Sequence, residues 1–300
     1  MPNLTISDII NQAKESQRDF QFSSKLQIID KTINYTSSGK PYFVLKMRDI
    51  TGDLGNIKKW TESEEELNLY NNLFDIGNII ELNGQYQQKW NSVGINSARE
   101  LNENQFSLEE FVISPITNQE RLIEKLNETI SKINDKFLNG LMENIFDDEE
   151  IKEKYFICPS SIIKHHSYRC GNLEHTIGMI TAFEQFVNFY QRNTELNVDL
   201  IYSGIILHDI GKIFKYKIKN EVPSYNQDYA LLDHINLGAQ LITEYIKGID
   251  GFPKDLENRI IHIILSHHGR KQWGSPIEPQ FPEAEIVHYL DMIDSRFKSI

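Results

Sequence analysis

One adjacent His-Asp pair, His208-Asp209, constrains the fold of this 300-residue chain more than any other feature. It lies in the run Leu207–Lys212, which reads Leu-His-Asp-Ile-Gly-Lys. An imidazole and a carboxylate at one point of a helix can ligate a divalent metal, and the carboxylate has a second oxygen with which to bridge to another. The remaining ligands would have to come from other helices. The pair therefore predicts a helical fold that brings distant segments to one centre.

Further metal-ligand residue types stand at long intervals on both sides of this pair. The full set is His175, His208, Asp209, His234, His267 and Asp291. We expect His175, His208, Asp209 and Asp291 to hold one metal, and Asp209, His234 and His267, with His268 as a further candidate, to hold a second. Asp294 follows Asp291 by three residues on the same helical face and is the alternative for the last ligand. Two adjacent metals with open positions for water form a hydrolytic centre for phosphate esters.

Charged side chains close to these ligands in sequence are candidates for the chemistry. Lys212 follows the His-Asp pair by three residues, and its ammonium could meet a phosphate oxygen or the leaving group. The doublet His165-His166 precedes the first ligand and could contact phosphate or act as a general acid. Arg270 could neutralise substrate phosphates. His262 and His288 have no partner in the pattern and are interpreted as ordinary helix residues.

The chain after about residue 118 has the periodicity of helices. Apolar residues recur at steps of three and four, as at Ile123, Leu126 and Ile130. Asn172 is a candidate N-cap and Gly269 a candidate helix stop. The pattern predicts helices over 118–134, 172–190, 198–210, 230–247, 254–268 and 282–298. The expected unit is an all-α domain over residues 119–300.

The first hundred residues have the alternation and turn signals of about five short strands. They predict a five-stranded barrel of the oligonucleotide-binding (OB) type over residues 1–105, joined by a linker at 106–118. Aromatic residues with basic neighbours suggest a surface that stacks bases and meets phosphates; the candidates are Tyr42, Lys59, Trp60, Tyr86 and Trp90. The alternative is that the aromatics are core and the lysines are ordinary solvated positions. The predicted fold class is thus a multi-domain α+β protein.

The overall composition narrows the class of protein. A formal net charge of −12 argues against a broad basic surface but leaves room for a local basic groove or bound cations. The only cysteines, Cys158 and Cys170, predict no disulfide framework, as expected in a reducing cytoplasm. No apolar run approaches the roughly 20 residues that cross a bilayer, and residues 1–19 lack the apolar core of a secretory signal. We expect a cytoplasmic protein without membrane association and leave open whether it forms a homo-oligomer.

The ordered ligand pattern resembles the HD superfamily of metal-dependent phosphohydrolases. Together with the predicted barrel, the chain resembles the YhaM-type 3′-5′ exoribonucleases of Gram-positive bacteria over nearly its whole length. The segments that carry the resemblance are Ser38–Tyr42 leading to Lys59-Trp60, His165–Thr176, His208–Lys212, Ser266–Gly269 and the stretch that ends at Asp291. One departure is Cys170-Gly171-Asn172, where that family more often has two glycines.

The resemblance implies hydrolysis of single-stranded RNA from the 3′ end, releasing nucleoside 5′-monophosphates, with single-stranded DNA as a further candidate substrate. A metal-activated hydroxide would attack the terminal phosphodiester. Manganese is the usual activator of such enzymes, while iron, cobalt or nickel would also suit the ligands. In this interpretation the barrel holds the strand and the helical domain cleaves it.

Two other functions remain open at this point. HD domains also act on cyclic or small nucleotides, and a fold does not fix a substrate. A small-nucleotide phosphodiesterase would have little need for a strand-binding barrel. A non-catalytic single-strand-binding scaffold would be expected to have gaps in the ligand set, and none is evident in the sequence.

Overall fold

The computed structural model describes residues 1–111, 118–162, 168–190 and 195–297, with backbone alone at 188–190. The chain divides into two compact units. The first contains Met1–Ser114 together with Lys219–Val222, and the second contains Pro115–Ile218 and Pro223–Ile300. The predicted order, a five-stranded sheet followed by a helical unit, is confirmed.

Five strands of the first unit close on one another as a barrel. They are β1 (Phe20–Tyr35), β2 (Pro41–Asp49), β3 (Gly52–Trp60), β4 (Ile79–Gln87) and β5 (Ser92–Glu100), in the spatial order β1-β2-β3-β5-β4. Strand β4 pairs back with β1, which closes the sheet, and the β3–β5 pairing is parallel whereas the others are antiparallel. Helix α1 (Ile6–Glu15) precedes the strands, and α2 (Glu64–Leu73) lies between β3 and β4 in sequence.

Strand β1 is long enough to pair with both β2 and β4. Its register against β2 shifts between Ile28 and Asp30, and such a bulge bends a strand and increases its twist. The side chains of Phe22, Leu26 and Ile28 are buried and enter the barrel core, whereas Gln21, Ser23 and Lys25 are more exposed; Gln27, between two of the core residues, is also buried. The alternation in the sequence therefore fixes which face of this strand is inside.

The second unit is built from helices, together with most of one short hairpin. The helices are α3 (Gln119–Ile130), α4 (Lys136–Asp147), α5 (Glu149–Ile157), α6 (Gly171–Tyr190), α7 (Val198–Leu207), α8 (Lys212–Lys215), α9 (His234–Lys247), α10 (Lys254–Ser266) and α11 (Pro282–Phe297). Strands β6 (Tyr216–Lys219) and β7 (Val222–Tyr225) form a two-stranded sheet between α8 and α9, an addition to the predicted helices. Helix α7 is buried from Leu200 to Leu207 and lies at the centre of the core.

Several helices begin or end at other residues than predicted. As a result, the candidate ligands His208, His234 and His267 lie at helix termini. Helix α9 begins at His234 instead of residue 230, because the Asp233 side chain caps it by accepting from the Ile235 N–H. Helices α7 and α10 end one residue before His208 and His267, which are their C-caps. The prediction of Asn172 as a cap is wrong, since α6 already begins at Gly171 and Asn172 is buried in its first turn.

Gly211 allows α8 and α9 to approach each other closely. Its backbone is in the ordinary helical region, with φ of −64°, so the requirement at this position is for space. A Cβ there would lie 1.9 Å from the His234 carbonyl oxygen and 2.5 Å from the Gly238 nitrogen. Because both of these atoms belong to the backbone, neither can rotate away. The glycine in the Leu207–Lys212 run therefore sets the distance between the His-Asp pair and His234.

We expect Gly211→Ala to destabilise the protein by about 3 kcal/mol, at the upper end of the usual cost of overpacking. The measurement is the free energy of unfolding in urea. Gly238→Ala is the matched control, because its added Cβ would meet atoms no closer than 3.3 Å and it should change stability by less than about 1 kcal/mol. Equal effects of the two substitutions would contradict the proposed role of Gly211.

Candidate metal centre

The carboxylate of Asp209 lies in the middle of the candidate ligands, and its residue is only 2% exposed. Its Oδ2 atom is 3.1 Å from Nε2 of His208 and 4.0 Å from Nε2 of His175. Its Oδ1 atom is 3.4 Å from Nε2 of His234 and 3.6 Å from Nε2 of His267. The two oxygens of one carboxylate thus face two different pairs of imidazoles.

The ligand atoms fall into two groups on either side of Asp209. In the described residues, atoms of His175, His208 and Asp209 lie within 4.8 Å of one another, and so do atoms of His234, His267 and His268. Asp291 adds a carboxylate to the first group, with Oδ1 3.3 Å from Nε2 of His175. The structure therefore brings together all the residues predicted as ligands.

The Nδ1 atom of each of four imidazoles has a partner outside the centre, which orients Nε2 toward the centre. The Nδ1 of His208 donates to the Ile205 carbonyl at 2.8 Å, and the Nδ1 of His267 donates to the Ile264 carbonyl at 2.7 Å. A carbonyl can only accept, so in the neutral ring the proton is on Nδ1 and Nε2 carries a lone pair. The Nδ1 atoms of His234 and His175 meet carboxylates instead, those of Asp233 at 2.9 Å and Asp294 at 2.8 Å.

Several buried polar atoms of the centre have no hydrogen-bond partner within the described part of the chain. They include Asp209 Oδ1, His234 Nε2, His267 Nε2 and His268 Nδ1. The first three are mutual neighbours, and each presents a lone pair to the others. Buried polar atoms without partners cost free energy, and facing lone pairs add repulsion. A divalent cation among these atoms would satisfy them together, so the donor set fits a metal.

Buried charges shift the pKa values of the centre in opposite directions. Burial opposes charging of the His175 imidazole, but the neighbouring carboxylates of Asp291 and Asp294 raise its pKa to about 9. Burial would raise the pKa of Asp209, yet the Lys212 ammonium and the His208 imidazole hold it well below its usual range. Burial, together with the nearby His268, lowers the pKa of His267. At neutral pH Asp209 is therefore ionised and His267 neutral, as metal ligands must be, whereas His175 holds a proton that metal binding would release.

Lys212 lies inside the centre and is 7% exposed. Its Nζ is 2.5 Å from Oδ2 of Asp209 and 3.4 Å from Oγ of Ser160. The ammonium therefore acts first on the ligand carboxylate in this structure. The predicted contact with a substrate phosphate stays a prediction.

Asp291 and Asp294 lie on opposite sides of the His175 ring. Asp291 meets Nε2, the nitrogen that faces the centre, whereas Asp294 meets Nδ1, which faces away from it. This geometry favours Asp291 as the metal ligand and puts Asp294 on the side of the ring that faces away from the centre. The candidate catalytic residues His165 and His166 lie outside the described residues.

His288 was not predicted to belong to the site, but it supports the backbone of the candidate ligand His267. It is buried, and its Nδ1 is 2.8 Å from the carbonyl oxygen of His267. Its ring also fills the space beside Gly269, where a Cβ would lie 2.2 Å from the ring. Gly269 has a φ of +81°, which glycine adopts without strain. A sequence signal was present, since His288 precedes Asp291 by one helical turn.

The barrel presents some of the predicted nucleic-acid contacts at its surface. Trp60 and Trp90 are 51% and 63% exposed, and Tyr42 stacks on Trp60 with ring centroids 4.3 Å apart. The prediction that Tyr86 stacks on bases is wrong, because its ring is buried in the barrel core and stacks on Phe20. Spacing along the strand could not show on which face its ring would lie.

The predicted basic contacts differ in how accessible they are. The Lys59 side chain is only 13% exposed, and its ammonium lies 3.6 Å from Glu66 and over the Tyr70 ring. In the second unit Arg270 is exposed, and its guanidinium stacks on Trp273 at 4.8 Å from the ring centroid. Arg270 therefore remains the more accessible candidate for a phosphate.

Comparison with known proteins places this centre within a family. The model of the HD domain matches residues 163–296. The chain is 30% identical over 280 residues to the 3′-5′ exoribonuclease YhaM of Geobacillus sp. strain WCH70, covering 92% of this chain and 82% of that protein. It is 28% identical over 288 residues to the 3′-5′ exoribonuclease YhaM of Oceanobacillus iheyensis, covering 93% and 86%.

The match spans both units, since more than nine-tenths of the chain aligns with these relatives. Among the described residues, none of the helices is both long enough and apolar enough to cross a membrane. The HD match contains the His-Asp pair and every candidate metal ligand. The chain therefore belongs to the YhaM family of 3′-5′ exoribonucleases and is a hydrolytic enzyme.

Proposed function

We propose that this protein hydrolyses single-stranded RNA from the 3′ end to nucleoside 5′-monophosphates in a metal-dependent reaction, with single-stranded DNA as a further substrate. The observation that carries the proposal is the convergence of imidazole lone pairs on the two oxygens of the buried Asp209 carboxylate. Buried polar atoms without partners need an explanation, and a bound metal would supply one here. Family membership supplies the reaction class.

The two groups of donors support a proposal of two divalent ions. His175, His208, Asp209 and Asp291 would hold one, and Asp209, His234, His267 and His268 the other. Imidazole and carboxylate ligands suit manganese, iron, cobalt or nickel, and we favour manganese. When bound, such ions activate water and stabilise the charge that develops on phosphate oxygens.

The chain's own residues would orient the substrate and compensate its charge. Lys212 keeps Asp209 ionised and would supply a positive charge beside the reacting phosphate. Arg270 would meet a phosphate of the strand. We keep His165 and His166 as candidates for protonating the leaving 3′ oxygen of the penultimate nucleotide.

We propose that the first unit is an OB-type barrel that holds the RNA strand, within a domain spanning residues 1–105. The closed five-stranded topology with α2 between β3 and β4 supports this. The exposed rings of Trp60 and Trp90 supply surfaces on which bases can stack. Residues 106–118 would then link this domain to the HD domain, proposed to span 119–300.

The experiment that tests the proposed function is a time course on 5′-labelled single-stranded RNA of about 20 nucleotides, a length that exceeds one OB site. With manganese we expect a ladder that shortens from the 3′ end, and with EDTA we expect intact RNA. Intact RNA in manganese, with hydrolysis of a small phosphodiester, would instead support a small-nucleotide phosphodiesterase. Intact RNA that is still bound, with neither substrate cleaved, would support a binding scaffold.

Replacing Asp209 with alanine should remove exonuclease activity, because both donor groups lose their shared carboxylate. We expect a fall in kcat of at least about 1000-fold, or roughly 4 kcal/mol in the activation free energy. His262→Ala is the matched control: it removes a histidine of the same unit whose Nε2 accepts from the Gln280 N–H, away from the centre. Parental activity in Asp209→Ala would contradict the metal mechanism.

Replacing both Trp60 and Trp90 with alanine should weaken RNA binding without affecting metal binding. Each stacked base contributes about 1–3 kcal/mol, so we expect Kd to rise at least tenfold. The measurement is fluorescence anisotropy of labelled RNA in EDTA, which prevents cleavage. Leu69→Ala removes another exposed apolar side chain of the same unit and serves as control. An unchanged Kd in the double variant would reject the barrel surface as the RNA-binding site.

A further inference from the structure

Asp294 differs from the other groups that orient the imidazoles of the centre. His208 and His267 donate to carbonyls three residues earlier in their own chain segments, at Ile205 and Ile264. Asp294 comes from a different helix, and it offers a carboxylate oxygen instead of a carbonyl oxygen. Its side chain is 12% exposed, whereas that of Asp233, the carboxylate beside His234, is 50% exposed. Water therefore screens the Asp294–His175 pair less than the Asp233–His234 pair.

The fold keeps a space on α6 for this carboxylate. Gly178 follows His175 by one helical turn, and a Cβ on it would lie 2.4 Å from Oδ1 of Asp294. The carboxylate thus rests against the bare backbone of Gly178 while its other oxygen meets Nδ1 of His175 at 2.8 Å. A glycine within a helix lowers helix stability relative to alanine. The contact with Asp294 explains why glycine occupies position 178 despite that loss.

We propose that Asp294 is a positioning residue that fixes His175 with Nε2 toward the centre, and that Gly178 provides the space it needs. A carboxylate that accepts from Nδ1 fixes the tautomer and makes Nε2 a stronger ligand. The same side of the centre also contains the Asp291 carboxylate. The His175 side is therefore the tighter of the two metal positions. This inference rests on the proposed metal centre and is independent of the identity of the substrate.

Gly178→Ala separates this role from a general effect on folding. The substitution changes neither His175 nor Asp294, and its Cβ meets the end of a side chain that can rotate away. The gain in helix propensity should keep the melting temperature of the metal-free protein close to that of the parent. Metal affinity should nevertheless fall. Gly140→Ala in α4 is the matched control, because a Cβ there has nothing within 4 Å.

The test is calorimetric titration of the metal-free full-length protein with Mn²⁺ alone. We expect Gly178→Ala and Asp294→Ala each to weaken the tighter binding event about 10- to 100-fold, the usual effect of losing such a partner. The double variant should be no worse than Asp294→Ala, since the Cβ added at position 178 acts through the Asp294 carboxylate, which is then already gone. Asp294→Asn keeps an accepting oxygen without the charge and should recover part of the lost affinity.

The visible spectrum of the Co²⁺-loaded protein gives a second readout that a purely structural role would not change. We expect it to shift in Gly178→Ala and Asp294→Ala and to stay as in the parent in Gly140→Ala. Parental Mn²⁺ affinity in either Gly178→Ala or Asp294→Ala would overturn the inference and leave the metal centre standing. Failure of the parent protein itself to bind Mn²⁺ would overturn the proposed centre and this inference with it.

Discussion

The rest of the helical unit depends on the contacts that the buried carboxylate of Asp209 makes. One side chain with two acceptor oxygens contacts imidazoles from separate helices and is compensated by one ammonium, that of Lys212. A carboxylate buried to this extent is costly unless it is paired or coordinates a cation. The imidazoles at the ends of α7 and α10 and at the start of α9 each place Nε2 within 3.6 Å of one of its oxygens. The unit is therefore organised around a charge that needs partners.

Helix α11 stabilises both groups of this centre from one face. His288, Asp291 and Asp294 follow one another at steps of three residues. His288 binds the carbonyl of His267, Asp291 approaches Nε2 of His175, and Asp294 binds Nδ1 of the same ring. A rotation of this helix would move supports of both groups together. This spacing places Asp291, the last candidate ligand in the sequence, on the same helix face as His288.

The sequence predicted the composition of the centre well, because ligand chemistry restricts the residue types and their order. The strand-then-helix organisation also followed from periodicity. What could not be predicted depends on which way side chains point. Asp291 and Asp294 lie on one face of α11 and reach different nitrogens of His175. Tyr86 and Trp60 are both aromatic residues of barrel strands, but Tyr86 is buried and Trp60 is exposed. The hairpin β6–β7 is too short to produce a periodic signal, and the capping of α9 by Asp233 depends on a local hydrogen bond.

Two glycines mark the positions in this site where a neighbouring element packs too closely to leave room for a Cβ. A missing Cβ at Gly211 admits the backbone of α9, and a missing Cβ at Gly178 admits the carboxylate of Asp294. The two cases differ physically: at Gly211 the neighbour is backbone and an added Cβ must separate two helices, whereas at Gly178 the neighbour is a side chain that can turn away. The first glycine is therefore a requirement of the fold, and the second is a requirement of ligand orientation. A chain of this family could lose the second and still fold, which makes Gly178 a site where metal affinity can change independently of stability.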